Sequence, residues 1–421
     1  MKRNYYLVGL ILVIFFVISF LTNIIGPLVP EIIEDFNLSL TMVAVLPFAF
    51  FIAYGAMSIP AGLLIERYTE KTVMISAFLV AFGGAQLFAL FPNYLIAIIS
   101  LFLIGTGMAM LQVAINPLLR EAGGEENFAF NSQLGQLFFG LASFLSPLVY
   151  SYLVVNLDSG VTEGLILSMA AAVVPQDLPW ISLYWIFALV SLLMVVIIFF
   201  SHFPEVERKE DETVGTLETL ELLKRPMVWL FFLGIFCYVG SEQGIANWIS
   251  EFLSTYHGYD PQTTGASTVS WFWGMMTAGT VLGLLLLKVM DSRKVLISFT
   301  TGALLSLTLA LFGSGQVALY AFPAIGFLIA VMWPVIFSLA LNSVTENHGS
   351  FSGILVTGIA GGAVVPLIVG SLGDWLGLKF GLFFIYITFG YILSIGFWAD
   401  PLVTNKTIEF SGSEAEEANV S

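Results

Sequence analysis

Twelve apolar runs punctuate the 421-residue chain, at about 5–30, 42–65, 72–92, 94–118, 131–155, 180–201, 227–253, 263–287, 295–313, 317–342, 351–373 and 380–399. Most reach the roughly 20 residues that an α-helix needs to cross about 30 Å of hydrocarbon. The pattern predicts an all-α membrane protein with twelve transmembrane helices. Basic residues set its direction. With a cytoplasmic N-terminus, thirteen of the fourteen Lys and Arg fall inside, from Lys2 and Arg3 to Lys406, and only Lys379 falls outside. Shifting the count by one helix mixes the two groups, so both termini are expected in the cytoplasm. The first run follows Lys2 and Arg3 and continues to Pro30 without a small-residue cleavage site. It reads as a retained helix and not as a signal peptide. Leu165 to Val174 is apolar but too short to cross, and is expected to form a surface helix in an outer loop.

Composition narrows the class. The chain is 58% hydrophobic and 10% charged, against about 25% charged residues in soluble domains. A β-barrel would alternate polar lumen residues along short strands, and these runs do not. The net charge of −15 comes from loop and tail acids such as Glu205 to Glu221, Glu414, Glu416 and Glu417, a surface unsuited to nucleic acid. The single cysteine, Cys237, lies within an apolar run, so neither a disulfide nor a thiol metal site is expected. The three histidines, His202, His257 and His348, all lie outside the membrane core.

Residues 202–226 form the one long polar stretch between runs on the inner side. It divides the chain into a bundle over 1–201, a central cytoplasmic loop over 202–226, a second bundle over 227–400 and an acidic cytoplasmic tail over 401–421. The halves echo each other at an offset of 222. Glu66-Arg67-Tyr68-Thr69-Glu70-Lys71 parallels Lys288-Val289-Met290-Asp291-Ser292-Arg293, and Gly140 parallels Gly362. Pro147-Leu148-Val149 is similar to Pro366-Leu367-Ile368, and Asn116-Pro117 and Trp333-Pro334 mark comparable points of the two fourth helices. Several matches in one order indicate an internal duplication. Two six-helix halves about an axis along the membrane normal resemble the major facilitator architecture, whose central cavity opens alternately to each face. The loop Gly62-x-x-x-x-Arg67 with Lys71 resembles that superfamily's signature between helices two and three. Arg67, Lys71 and Arg293 are therefore candidates for conformational gating, with simple positive-inside anchoring as the alternative.

A transport site must replace water around a solute near the midplane, and unpaired polar groups there are costly. Helix one carries Thr22 and Asn23 before Gly26-Pro27; helix four carries Gln112 and Asn116; helix five carries Gln133 and Gln136; helix seven carries Glu242, Gln243 and Asn247. Amides both donate and accept, as sugar hydroxyls do. Trp271 and Trp273 in helix eight and Trp333 in helix ten offer flat apolar faces for a sugar ring. Trp248, near the outer end of helix seven, reads as an interfacial anchor. Structural helix–helix hydrogen bonds are the alternative for each amide, and core or lipid packing for each indole. Glu242 is the one acid near the middle of an apolar run, where a carboxyl either pairs with a cation or carries its proton. That behaviour suits a coupling group. Asp374 closes helix eleven and reads as a solvated end.

These residues resemble the fucose–galactose–glucose branch of the major facilitator superfamily. The matching stretches are Pro60-Ala61-Gly62-Leu63-Leu64, Leu111 to Pro117, Tyr238-Val239-Gly240-Ser241-Glu242, Pro334 to Leu339, and Gly361-Gly362-Ala363 with Pro366. The resemblance implies cation-coupled uptake of a monosaccharide across a bacterial inner membrane. It gives Asn23 and Gln136 sugar-contacting roles. Fucose symporters are similar but carry an aspartate where Gly26 stands, a glutamate where Gln112 stands, a tyrosine where Trp333 stands, and often asparagine at Phe139. Glu242 is then the remaining ionisable group for coupling.

The expected function is a secondary active monosaccharide importer, a monomer that uses no cofactor and couples to a proton or sodium ion. An exporter of another small solute, such as an amphipathic drug, and a sugar sensor without transport are the alternatives. No nucleophile–base set or metal cluster stands at membrane depth to suggest an enzyme.

Overall fold

The computed structural model describes residues 4–124, 128–161, 163–203, 222–287, 289–344 and 348–402. The central loop beyond 203 and the acidic tail beyond 402 therefore lie mostly outside the described residues. The described chain is nearly all helix. Span 1 comprises Tyr5–Thr22 and Ile25–Phe36, span 2 Leu40–Arg67, span 3 Glu70–Leu90, span 4 Tyr94–Gly123, span 5 Phe128–Asp158 and span 6 Ser182–Phe200. In the second half, span 7 comprises Pro226–Ala246 and Ile249–His257, span 8 Ala266–Leu286, span 9 Ser292–Phe312, span 10 Gly315–Ile329 and Met332–Leu341, span 11 His348–Thr357 and Gly361–Leu376, and span 12 Leu378–Gly381 and Phe384–Trp398. Among the described residues eleven helices are long and apolar enough to cross a membrane, and Ala266–Leu286, at 21 residues, matches them in length. The surface helix is present at Leu165–Val173, with Leu165 and Ile166 exposed.

Helix starts are fixed by short polar side chains, because the first backbone N–H groups of a helix have no intrahelical acceptor. At the end of the bundle that carries Lys71 and Arg293, here termed the basic end, Asn4 accepts Leu7 N at 3.1 Å, Thr69 accepts Thr72 N at 3.3 Å and Asp291 accepts Arg293 N at 2.8 Å. At the opposite end Ser39 accepts Met42 N at 3.2 Å and Asn93 accepts Ile96 N at 3.0 Å. Between helices, small residues let backbones approach, the packing mode expected where hydrophobicity cannot drive association. A Cβ added to Gly107 would lie 2.6 Å from Ala77 O, and one on Gly84 would lie 2.9 Å from Ser100 O.

The internal duplication has a structural counterpart. Lys71 Nζ donates to Phe199 O at 2.8 Å and Ser201 O at 2.7 Å, so the start of span 3 caps the end of span 6. Arg293, 222 positions later, donates to Ala399 O at 3.3 Å and so caps the end of span 12. In this conformation both bases serve their own half. Arg67 is exposed, its guanidinium 5.6 Å from the centroid of the neighbouring Tyr68 ring.

The two halves meet along spans 2 and 11 and along spans 5 and 8. The repeat-related glycines serve these two seams: a Cβ on Gly140 would collide with Thr277 of span 8, and one on Gly362 would lie 3.2 Å from Phe51 of span 2. Toward the end away from the basic loops, spans 1 and 7 also touch. Both break at an asparagine, Asn23 and Asn247, and the two breaks abut: a Cβ on Gly26 would collide with Ala246 O and lie 3.3 Å from Asn247 Cα. This end is closed. Polar groups well inside the opposite end remain exposed, among them Asn116 and Gln136. Gln136 stands eight residues past the start of span 5, about 12 Å along a helix that rises about 1.5 Å per residue.

Candidate functional site

Glu242 stands one turn before the Gly26–Ala246 contact, on the side of that contact facing the basic end. Its helix assigns its direction, since successive residues rotate by about 100°. Gly240 and Gly244 face Val365 of span 11, and Gly234 faces Ile336 and Ile395 of spans 10 and 12. Ala246, on a further arc, meets span 1. Glu242 falls between the arcs meeting span 1 and span 10, so its side chain is turned toward the other half. Glu242 Oε2 accepts Tyr238 Oη at 2.7 Å and Oε1 accepts Gln243 Nε2 at 3.1 Å. Both carboxyl oxygens thus have a donor from the same helix. Glu242 as a residue is half-buried, while Gln243 beside it is buried. Among the described residues no Lys or Arg forms an ion pair with Glu242.

Aromatic rings extend this wall. Tyr238 packs on Trp333 with centroids 5.9 Å apart, and Trp333 stacks on Phe337 at 5.9 Å and 19°. Trp333 is half-buried. Trp273 is buried, and its Nε1 finds no acceptor among the described residues; the Asn247 Nδ2 is in the same position. A buried donor without a partner is uncommon in a folded protein and calls for an explanation.

Trp271 requires a correction. It is 56% exposed and lies on the arc of span 8 shared with exposed Leu282 and Leu285, packing only edge-on against Phe144 at 5.5 Å. That exposed arc borders the seam with span 5 on its outer side, where Phe144 stands, and lies away from span 10, so Trp271 faces hydrocarbon and not a solute wall. Trp248 is corrected in the other direction. It is 1% exposed and packs against Gly370 of span 11, whose added Cβ would lie 3.0 Å from Trp248 Cζ2. The reading of it as an interfacial anchor fails because the end of span 7 is covered by span 11.

The first half contributes amides of two kinds. Asn23 is buried and donates to Ser143 Oγ at 2.9 Å and to Ser19 Oγ at 3.4 Å, tying span 1 to span 5. Its amide nitrogen is thus engaged structurally. Gln136 differs. On span 5, Gly135 meets Phe15 of span 1, Gly140 meets Thr277 of span 8, and Gln136 points between them. The lipid-facing arc of the same helix is marked by exposed Leu137, Leu141, Leu148 and Tyr152. Gln136 is therefore exposed on the side between the halves. On span 4, Gln112 is half-buried and Asn116 exposed, with Asn116 Nδ2 donating to Gln112 O at 3.2 Å. The Gln133 side chain lies outside the described residues. Among the described residues no hydrogen bond links Glu242 to Asn23, Gln112, Asn116 or Gln136. A cavity of about 340 Å³ lined by Leu64, Tyr68, Thr72, Val73, Ser76 and Met110 lies apart from all of them, between spans 2, 3 and 4.

Sequence reasoning passed over Tyr238 as a ligand of Glu242, although four-residue spacing on one helix signals such a pair. It also passed over Ser19 and Ser143, which look like packing residues in any apolar run. Gly26 has a clear role here: no side chain fits at this position while spans 1 and 7 touch.

The profile of the Major Facilitator Superfamily matches residues 11–366. The chain belongs to the Major Facilitator Superfamily. It is a multi-pass membrane transporter of that superfamily and not an enzyme. It is 30% identical over 401 residues to a "Glucose/galactose transporter" of Brucella abortus, covering 94% of each chain. It is 26% identical over 384 residues to the "L-fucose-proton symporter" of Escherichia coli, covering 86% of each. Among solved structures, the E. coli fucose:proton symporter FucP superposes with a TM-score of 0.65 at 21% identity, over 95% of this chain and 100% of that one. A bacterial homologue of the human lysosomal transporter Spinster, solved in an inward-facing conformation, superposes with a TM-score of 0.77 at 14% identity, over 93% of this chain and 97% of that one. In this major facilitator, Glu242, Tyr238, Gln243 and Trp333 form one cluster of the second half, with Glu242 one turn on the basic side of the contact between spans 1 and 7.

Proposed function

We propose that this protein imports a monosaccharide by proton-coupled symport, with Glu242 as the proton-binding group. The observation that carries the reading is the Glu242 carboxyl, turned toward the opposite half and held at both oxygens by Tyr238 and Gln243. Protonation and release at one carboxyl changes the charge of the crevice wall by one unit. In a medium of low polarity such a change strongly biases which conformation is preferred. The choice of a proton follows the relative named as a proton symporter.

Sugar chemistry suits the remaining residues. Trp333, half-buried, offers an indole face to ring C–H groups. Gln136, Gln112 and Asn116 on the first half, with Gln243 and Asn247 on the second, offer donors and acceptors to hydroxyls. The buried Asn247 and Trp273 donors, without an acceptor among the described residues, are suited to hydroxyl oxygens once the packing around them opens. Hexose specificity follows the relative named for glucose and galactose. The membrane is the bacterial inner membrane, with the basic end cytoplasmic by the positive-inside rule. The conformation described here is then inward-open, with the outer end shut where spans 1 and 7 meet. Lys71, Arg67 and Arg293 brace the cytoplasmic helix ends as the halves rock.

Counterflow in proteoliposomes with labelled glucose, galactose and fucose tests the substrate class. Saturable exchange of at least one of them is expected. Absence of exchange for every neutral monosaccharide overturns the sugar reading.

A further inference from the structure

We propose that Asp374 is the latch of the outer gate, a carboxylate on one half that holds a helix start on the other half only while the outer ends are together. This rests on the alternating-access part of the proposed function and not on the identity of the solute. Asp374 stands in the last turn of span 11. Its Oδ1 accepts Leu40 N at 2.8 Å and its Oδ2 accepts Thr41 N at 2.8 Å. Leu40 and Thr41 are the first two helical residues of span 2, and the third N–H, of Met42, goes to Ser39 Oγ at 3.2 Å. The free N–H groups of that turn are thereby satisfied, two of them by an acid from the opposite half.

The contact is built and not incidental. Gly370 and Gly373 stand four residues and one residue before Asp374 on its helix. A Cβ on Gly370 would lie 2.7 Å from Leu40 O, and one on Gly373 would lie 2.8 Å from Leu40 Cδ1. These glycines bring the two backbones close enough for a carboxylate as short as that of Asp to reach the amides. A charged acceptor at a helix N-terminus also interacts favourably with the aligned peptide dipoles. A weaker contact of the same kind lies at the other seam, though not at a repeat-related position: Asp158, the last residue of span 5, accepts Gln262 Nε2 at 3.2 Å from the turn that opens span 8. Each fifth span therefore ends in an aspartate directed at the start of the second helix in the other half.

The halves cannot part at the outer end without breaking both Asp374 bonds. Removing the charge shifts the resting population toward outward-open and changes nothing in the solute wall. The test is a spin–spin distance measurement, without solute, on purified protein in nanodiscs. Labels are placed at Phe91 and Tyr320, exposed outer-end positions on opposite halves, in a Cys237→Ala background. Asp374→Asn is expected to raise the outward-to-inward population ratio about tenfold, with Asp374→Glu partly restoring it. Thr41→Pro removes one N–H donor while leaving the acid intact, at a first-turn position where proline is tolerated. It is expected to shift the distribution in the same direction and decides the matter if the Asp374 variants do not fold. Distance distributions for the folded variants that overlay the parent protein overturn the proposal. Because no sugar is present, that outcome is independent of failure in the counterflow assay.

Discussion

Tyr238 donates its hydroxyl to Glu242 Oε2 at 2.7 Å from one helical turn earlier, and its ring packs on Trp333 of span 10 at 5.9 Å between centroids. One residue thus connects the acid proposed for coupling with the indole proposed for the sugar. Tyr238→Phe keeps the ring contact and removes the bond. A hydrogen bond to a charged group contributes about 1.5–3 kcal/mol. The expected outcome is roughly ten- to hundredfold slower proton-driven uptake, with counterflow reduced far less. Transport assays in proteoliposomes with and without an imposed pH gradient separate the two.

Trp333→Ala is expected to raise the KM for sugar about tenfold or more, through loss of a stacking face, while the accumulation ratio at saturation stays near that of the parent. Trp271→Ala serves as the contrast, because Trp271 is 56% exposed on the hydrocarbon-facing arc. Its KM is expected to remain within about twofold. Initial-rate measurements over a sugar concentration series check both.

Gly26→Ala places a methyl group against Ala246 O, where no space exists while spans 1 and 7 touch. Backbone cannot yield as a flexible side chain can, so the outer end is expected to stay open. Uptake should fall at least about tenfold. A cysteine introduced at an amide position such as Gln136 should react faster with membrane-impermeant reagents from outside and more slowly from inside. Unchanged labelling from both faces contradicts this role for Gly26.

Asn23→Ala removes the donor that ties span 1 to span 5 through Ser143 and Ser19. Loss of a buried hydrogen bond with stranded partners costs about 1–3 kcal/mol. Thermal stability in detergent is expected to fall, and sugar KM to change less than for Trp333→Ala. The opposite ranking would identify Asn23 as a direct sugar ligand.

Much of this architecture is legible in the chain because lipid imposes one demand everywhere: each crossing must be apolar and satisfy its own backbone. Run lengths, the six-and-six division and the echo of Lys71 in Arg293 follow from that demand and from the duplication. Rotation about each helix axis is not legible in the same way. Lipid and protein interior are equally apolar, so Trp271 and Trp248 are equivalent in hydropathy although one faces outward and the other is enclosed. Asp374 reads as a solvated end because its partners are backbone amides, 334 and 333 residues away. Backbone donors leave no mark in the sequence. Glu242 stands out because charge within an apolar run is rare, and its depth is visible while its partners are not. The breaks at Asn23 and Asn247 are hidden too, since asparagine within a helix reads equally as a site amide.

The most direct measurement compares sugar accumulation driven by an inward proton gradient in the parent protein and in Glu242→Gln, with counterflow measured on the same vesicles. If Glu242 carries the coupling proton, the parent accumulates sugar under the gradient, the variant does not, and counterflow in the variant stays close to the parent rate. Accumulation by Glu242→Gln equal to that of the parent would contradict it.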